Sequence, residues 1–155
     1  MLTDALTPVS WRARPRSFVA LMSLYESNYI RLGWLVGDLV ALDGERRSLA
    51  PPECELFLNV LERSRYTTTF NLTYVLPDGL PGADLLRLPD LQVRVYHDAH
   101  LAEALAWAAR SESDAPPARR FAPDRELGRR WQRNIMLNKW LEYCVERGHS
   151  FRLTR

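Results

Sequence analysis

Lysine is almost absent from this 155-residue chain: Lys139 stands alone beside 20 arginines. Cysteine is nearly as scarce. Cys54 and Cys144 are too few for a disulfide framework and too few for a cysteine-only zinc site. The seven glycines form no phosphate-cradling loop, and Pro77-Asp78-Gly79-Leu80-Pro81-Gly82 reads as a turn. There is no nucleophile-elbow serine motif, no paired-histidine zinc helix and no internal repeat. No stretch approaches the run of about 18 to 20 apolar residues that a membrane span needs. The segment from Met1 to Ser17 lacks the apolar core of a secretory signal, so the expected compartment is the cytoplasm, with no membrane partner. These absences leave no catalytic constellation, metal site or cofactor motif to build on.

What is present is an ordinary globular balance, with 46% hydrophobic and 26% charged residues. At this length one domain can bury a core without disulfides or metals. The net charge of +2 hides an uneven distribution. Residues 18–109 hold 7 basic and 12 acidic groups, and residues 110–155 hold 11 basic and 6 acidic. An acidic middle between basic ends predicts internal pairing or an anionic partner. Arginine's planar fork suits carboxylates and phosphates.

Residues 1–16 read as a polar, mobile arm anchored only by Trp11. Ser17 is an N-cap for a helix whose stripe runs Phe18, Leu21, Met22, Tyr25, Tyr29, Leu32 and Val36, with Gly37 at its stop. Leu39 to Leu42 reads as a short strand or helix extension, and Glu45 to Pro52 as a polar loop. Alternation then predicts a strand through Cys54, Leu56, Leu58 and Val60, and a second through Tyr66, Thr68, Phe70, Leu72, Tyr74 and Leu76. Glu62 to Arg65 forms their hairpin loop. Leu91, Val93 and Val95 alternate with Gln92, Arg94 and Tyr96 in a third strand. Asp98 is expected to cap a middle helix with Leu101, Ala104, Leu105 and Ala108 on its buried side. Residues 110–123 read as a linker. Asp124 is expected to cap a long last helix with Leu137, Trp140, Leu141, Cys144 and Val145 on its stripe and Gly148 at its end. The expected fold is α+β: an antiparallel sheet of three to four strands, with N-terminal, middle and C-terminal helices mainly on one face. The domain spans residues 17–149, followed by a tail at 150–155.

The tightest group of chemistry-capable side chains is His97, Asp98 and His100, at the end of the third strand. Two imidazoles and a carboxylate suit a metal or a general base, but their spacing scatters them, and the favoured reading is that Asp98 caps a helix and His97 is a half-buried, hydrogen-bonded side chain. Cys144 with His149 suggests a nucleophile and base, yet Cys144 lies on an apolar stripe. Arg125, Arg129 and Arg133 recur every four residues on the last helix, interleaved with Trp131 and near Phe121. That combination suits phosphates and stacked bases, and a solvated basic face explains it as well. Thr67 and Thr69 mark a polar sheet face on which Arg94 could also sit.

Several runs together resemble a known family. They are Tyr25-Glu26-Ser27-Asn28-Tyr29, Tyr66-Thr67-Thr68-Thr69, Val93 to Ala99 with Ala102-Glu103, and Asn138-Lys139-Trp140-Leu141. Across residues 17–149 the chain is similar to the YqiB-like proteobacterial proteins, domain of unknown function 1249. The resemblance implies a bacterial cytoplasmic protein and no particular activity.

Two functions remain from different classes. The first is a non-enzymatic interaction or regulatory protein with a protein partner, for which Trp11, Trp107, Phe121 and Trp131 are the candidate contacts. The second is a nucleotide, RNA or other anion binder, with possible hydrolytic activity, in which Arg94, His97, Asp98, Arg125, Arg129 and Arg133 converge. DNA is not an expected partner.

Overall fold

The computed structural model describes residues 17–50, 54–75, 87–107 and 123–152; the side chains of 87–89 and 123–125 are outside the description. The arm at 1–16 and the linker at 110–122 are likewise outside it. The described elements are α1 (Phe18–Val36), β1 (Glu45–Ala50), β2 (Cys54–Arg63), β3 (Thr67–Val75), β4 (Arg87–Tyr96), β5 (Leu101–Trp107) and α2 (Pro123–Glu146). The strands form one antiparallel sheet in the order β1-β2-β3-β4-β5.

The pleat sorts the side chains. Leu56, Leu58, Phe70, Leu72, Leu91, Val93, Val95, Ala102 and Ala104 are fully or almost fully buried on one face. They pack with Leu32, Leu35 and Val36 of α1 and Leu137, Trp140 and Leu141 of α2. Burying one such large apolar side chain stabilises by about 1.5–3 kcal/mol, so this face fixes the placement of both helices. A smaller cluster joins Ala20, Leu21, Leu24 and Tyr25 to Trp131, with Leu101 packed against it. The contacts Ser27–Asn138 and Arg31–Glu142 rise together in number, so the helices run parallel.

The helix ends follow their local chemistry. Ser17 Oγ accepts the Ala20 N–H at 3.1 Å, the expected N-cap. Gly37 ends α1 at φ +85°, a conformation that favours glycine. Gly148 ends α2 at φ +92°, with bonds from Gly148 N to Val145 O and from His149 N to Cys144 O. That pair is the Schellman arrangement. Phe18, placed on the apolar stripe by its spacing, is 69% exposed.

Three expectations are corrected. The sheet has five strands, because the polar loop expected at Glu45 to Pro52 contains β1. Its inward residues are the small Ser48 and Ala50, too little apolar surface to mark a strand. The middle helix expected after Asp98 is strand β5, joined to β4 by the turn His97 to His100. Leu101-Ala102-Glu103-Ala104-Leu105-Ala106 has helical composition, but pairing with β4 and burial of Ala102 and Ala104 override propensity. Leu39 to Leu42 is a turn, with Leu39 and Leu42 buried.

Strand β5 ends the sheet, and an edge leaves backbone donors and acceptors without a strand partner. Asparagines fill that role here. Asn134 Oδ1 accepts the Ala104 N–H at 2.8 Å, and its Nδ2 donates to Ala104 O at 3.5 Å. Asn28 Nδ2 donates to Ala102 O at 3.3 Å and to Asn134 Oδ1 at 3.2 Å. Asn138 Nδ2 donates to Asn28 Oδ1 at 3.1 Å. All three asparagines are buried. Replacing Asn134 by alanine strands both Ala104 groups, and the expected loss is about 3 kcal/mol. Urea unfolding measures it; a loss below about 1 kcal/mol would show that the edge is not sealed in this way.

Candidate functional site

Alternation sends the other half of the strand side chains to the face opposite the two helices. Glu45 and Arg47 come from β1, Glu55, Phe57 and Asn59 from β2, and Thr67, Thr69, Asn71 and Thr73 from β3. Asp90, Gln92, Arg94 and Tyr96 come from β4, and Glu103 from β5. This face is mainly polar, with Leu49, Phe57 and Val75 as its apolar members around Glu55, and most of its residues are half-buried.

Apart from Glu45, its charged groups with described side chains are held by neighbouring strands. Arg94 Nε donates to Thr69 Oγ1 at 3.0 Å, and Thr73 Oγ1 donates to Asp90 Oδ1 at 2.8 Å. The Tyr96 hydroxyl donates to Glu103. Arg47 lies 3.5 Å from Glu55 and sits over the Phe57 ring. Cross-strand pairs of this kind stiffen a sheet.

Glu103 also links the face to the helices. Tyr25 is buried, and burial, together with the Glu103 carboxylate, pushes its hydroxyl above the usual phenol range. Arg130 and Arg133 oppose that shift from α2. Tyr96 is raised as well, by burial first and then by Glu103, with Arg94 working against it. Arg130 is itself tied to Glu126 at 3.1 Å.

His97 lies at the far end of β4. Its Nε2 is 2.8 Å from Thr68 Oγ1, and its backbone N–H donates to Tyr66 O. Burial lowers its pKa, Arg63 lowers it further, and Asp98 and Asp38 oppose. Asp98 caps no helix; its Oδ1 accepts the Ala99 N–H within the turn. His100, at φ +56°, stacks on Tyr29 with ring centroids 5.1 Å apart.

The expected constellation is therefore divided. Arg94 belongs to the open face, and Arg133 neighbours Tyr25 beside it. His97 and Asp98 share a different neighbourhood with Arg63 and Asp38. Arg129 is half-exposed on α2, and the Arg125 side chain lies outside the description. The aromatic contacts fare differently. Trp131 is buried in the smaller cluster and Trp107 packs against the main core, while Trp11 and Phe121 lie outside the described residues. Among the described residues the exposed tryptophan is Trp34, at 50%.

Cys144 and His149 form no nucleophile and base. The His149 N–H donates to the Cys144 carbonyl, and its ring turns to Ser48 Oγ at 3.0 Å and Tyr74 OH at 3.3 Å. Burial pushes the Cys144 thiol up to about 12 and leaves it unreactive. Ser48, Tyr74 and His149 are all buried, so this cluster pins the end of α2 to β1 and β3. Among the described residues, no three His, Cys, Asp or Glu side chains come together to hold a metal, and no helix is long and apolar enough to cross a membrane.

Comparison with known proteins gives the family but no activity. The model of a protein family of unknown function, DUF1249, matches residues 31–150. The chain belongs to this family. It is 30% identical to the uncharacterized protein YqiB of Escherichia coli K12 over 134 residues, which is 84% of this chain and 90% of that protein. The same protein from strains O6:H1 and O157:H7 matches equally. No solved structure matches.

Sequence reasoning placed Tyr25 on the first helix stripe and Arg130 beside the basic residues of the last helix but did not join them to Glu103, because only tertiary packing brings the three together.

Burial lowers the pKa of both His149 and His97. Protonation is thus easier in the unfolded chain, where histidine titrates near 6.5. The stability these neutral rings confer is complete above that pH and is lost as pH falls through the lower folded values. Urea midpoints should therefore fall between pH 7 and pH 5, and His149→Gln should flatten that slope. An unchanged slope in His149→Gln would remove His149 as its source.

Proposed function

We propose that this protein is a non-enzymatic interaction protein that engages a protein partner through the open face of its sheet. One observation carries the reading. The histidines and cysteines are committed to the fold, while a mainly polar face across β1 to β4 stays uncovered by either described helix; the helices reach it at Glu103 of β5. His97 is tied to Thr68, and His149 to Ser48 and Tyr74. Both cysteines are buried.

The charge of the face favours protein over nucleic acid. Among the described side chains it offers Glu45, Glu55, Asp90 and Glu103 against Arg47 and Arg94. A phosphate backbone requires a clear excess of basic groups. The last helix gives the nucleotide or RNA alternative less support than its spacing suggested, since Arg130 is held by Glu126 and Arg133 is buried. A cytoplasmic setting fits this role and is part of the proposal.

Photo-crosslinking in the host cell tests it. A benzophenone amino acid replaces Phe57 on the open face or, as control, Tyr143, which is 45% exposed on α2. A discrete, protease-sensitive adduct is expected from the Phe57 probe and not from the Tyr143 probe. No adduct from Phe57, or equal adducts from both positions, refutes the assignment of this face.

A further inference from the structure

Helix α1 carries more apolar surface than the fold covers. Leu21, Leu24, Leu32, Leu35 and Val36 are buried on its inner side, against the sheet and α2. The outer side of a surface helix is normally charged or polar. Here Val19 is 54% exposed, Ile30 53% and Trp34 50%. With Glu26 they fall at steps of seven, four and four, which places them on one stripe. Only Glu26 and Arg31 are charged in α1, and Arg31 turns to Glu142 of α2 at 3.9 Å. Single exposed apolar side chains are ordinary on a protein surface; an aligned set of them on one helix marks a contact.

Ile30 is flanked along the stripe by charges of opposite sign. Glu26 is exposed and forms no ion pair among the described residues. Arg152 folds back over the C-terminal end of α1. Its Nε donates to Trp34 O at 3.1 Å and an Nη donates to Gly33 O at 3.3 Å. That position suits a cation, because the last carbonyls of a helix carry partial negative charge. Arg152 is exposed and likewise has no carboxylate partner among the described residues. A guanidinium has five donors, so two bonds to carbonyls leave others for a carboxylate. Between the two charges, nothing lies within 4 Å of where a Cβ would stand on Gly33, so the helix surface is bare there.

We infer that this stripe is a homodimer contact: a second copy of the chain packs α1 against α1, antiparallel, with the two-fold axis beside Ile30. Distance and charge select this occupant. At 1.5 Å per residue, Glu26 lies about 6 Å before Ile30, and helical side chains lean towards the N-terminus. Its carboxylate therefore reaches about 10 Å from the axis. The carbonyls that hold Arg152 put its guanidinium about 10 Å beyond Ile30 in the other direction. The equal spacing makes the stripe complementary to itself, as a contact between identical patches requires. Each Glu26 then meets Arg152 of the second copy across the bare surface at Gly33. A parallel pair would set Glu26 against Glu26 and Arg152 against Arg152, which repel. The inference stands apart from the reading of the open sheet face, because α1 lies on the other side of the sheet.

Sedimentation equilibrium of the full chain tests it. The expected behaviour is a reversible monomer–dimer equilibrium reaching about twice 18.0 kDa. Ile30→Glu and Glu26→Arg should each raise the dissociation constant about tenfold or more. Glu26→Arg/Arg152→Glu should restore most of the lost affinity, since the two sites lie too far apart in one chain to compensate each other there. Circular dichroism melting confirms that each variant is folded. Ile30→Cys, beside the axis, should give a covalent dimer on mild oxidation, and Val19→Cys, at the end of the stripe, should not; the native Cys54 and Cys144 are buried. A chain that stays monomeric at every concentration overturns the inference. So does a dimer indifferent to Ile30→Glu or to Glu26→Arg, or equal cross-linking at positions 19 and 30. A dimer weakened by Glu26→Arg and not recovered by the folded charge swap overturns the antiparallel register. A monomer whose Phe57 adduct is lost in Ile30→Glu assigns the stripe to a different protein and overturns the second copy as its occupant.

Discussion

The exposed end of the sheet at β5 is the constraint around which the molecule is arranged. A strand edge carries main-chain groups that must bond to something, and packing two apolar helices across it leaves those groups buried and unanswered. Asn134 resolves the conflict by placing one amide against both polar groups of Ala104. Asn28 and Asn138 extend the arrangement so that each helix is tied to the edge or to the other helix. Without that layer, α1 and α2 could slide along the apolar face with little directional penalty, because hydrophobic contact is not directional. Two of the sequence runs that give the chain its family likeness contain Asn28 and Asn138. Their role here is architectural.

The same logic separates fold from function elsewhere. On the helix-covered side Ser48, Tyr74 and His149 bond among themselves and Thr68 bonds with His97, although Trp140 Nε1 and His97 Nδ1 are buried without a hydrogen-bond partner. A histidine locked between two hydroxyls and denied solvent is a structural pin, not a proton carrier. On the opposite side cross-strand pairs hold the described charged groups other than Glu45, and the face across β1 to β4 stays uncovered. Function is therefore sought in the surfaces that folding has left uncovered, not in the residue types most often associated with catalysis.

Legibility followed the size of the inward side chains. Strands β2, β3 and β4 were visible because Leu56, Leu58, Phe70, Leu72, Val93 and Val95 alternate with polar residues over enough length to define a period. Strand β1 was hidden because Ser48 and Ala50 face inward. Strand β5 was hidden because alanine and leucine favour helices, and only pairing with β4 and the asparagine seal reverse that preference. Of the candidate site residues, Arg94 lies on the sheet face away from the helices, bonded to Thr69. The proposed meeting of Arg94, His97 and Arg133 failed for a geometric reason. His97 lies one residue past the strand, at the end near Arg63 and Asp38, while Arg133 faces Tyr25 beside β5.

The sequence by itself determined the α+β class, both helices with their Ser17, Gly37 and Gly148 ends, the three central strands and the family. Each of these depends on interactions within a few residues or on a repeating pattern along the chain. The tertiary structure alone decided the number of strands, the identity of β5, the burial of Trp131 and the meeting of Tyr25, Glu103 and Arg130. Those features arise where residues distant in sequence meet, and a single strand carries no record of its neighbour's register.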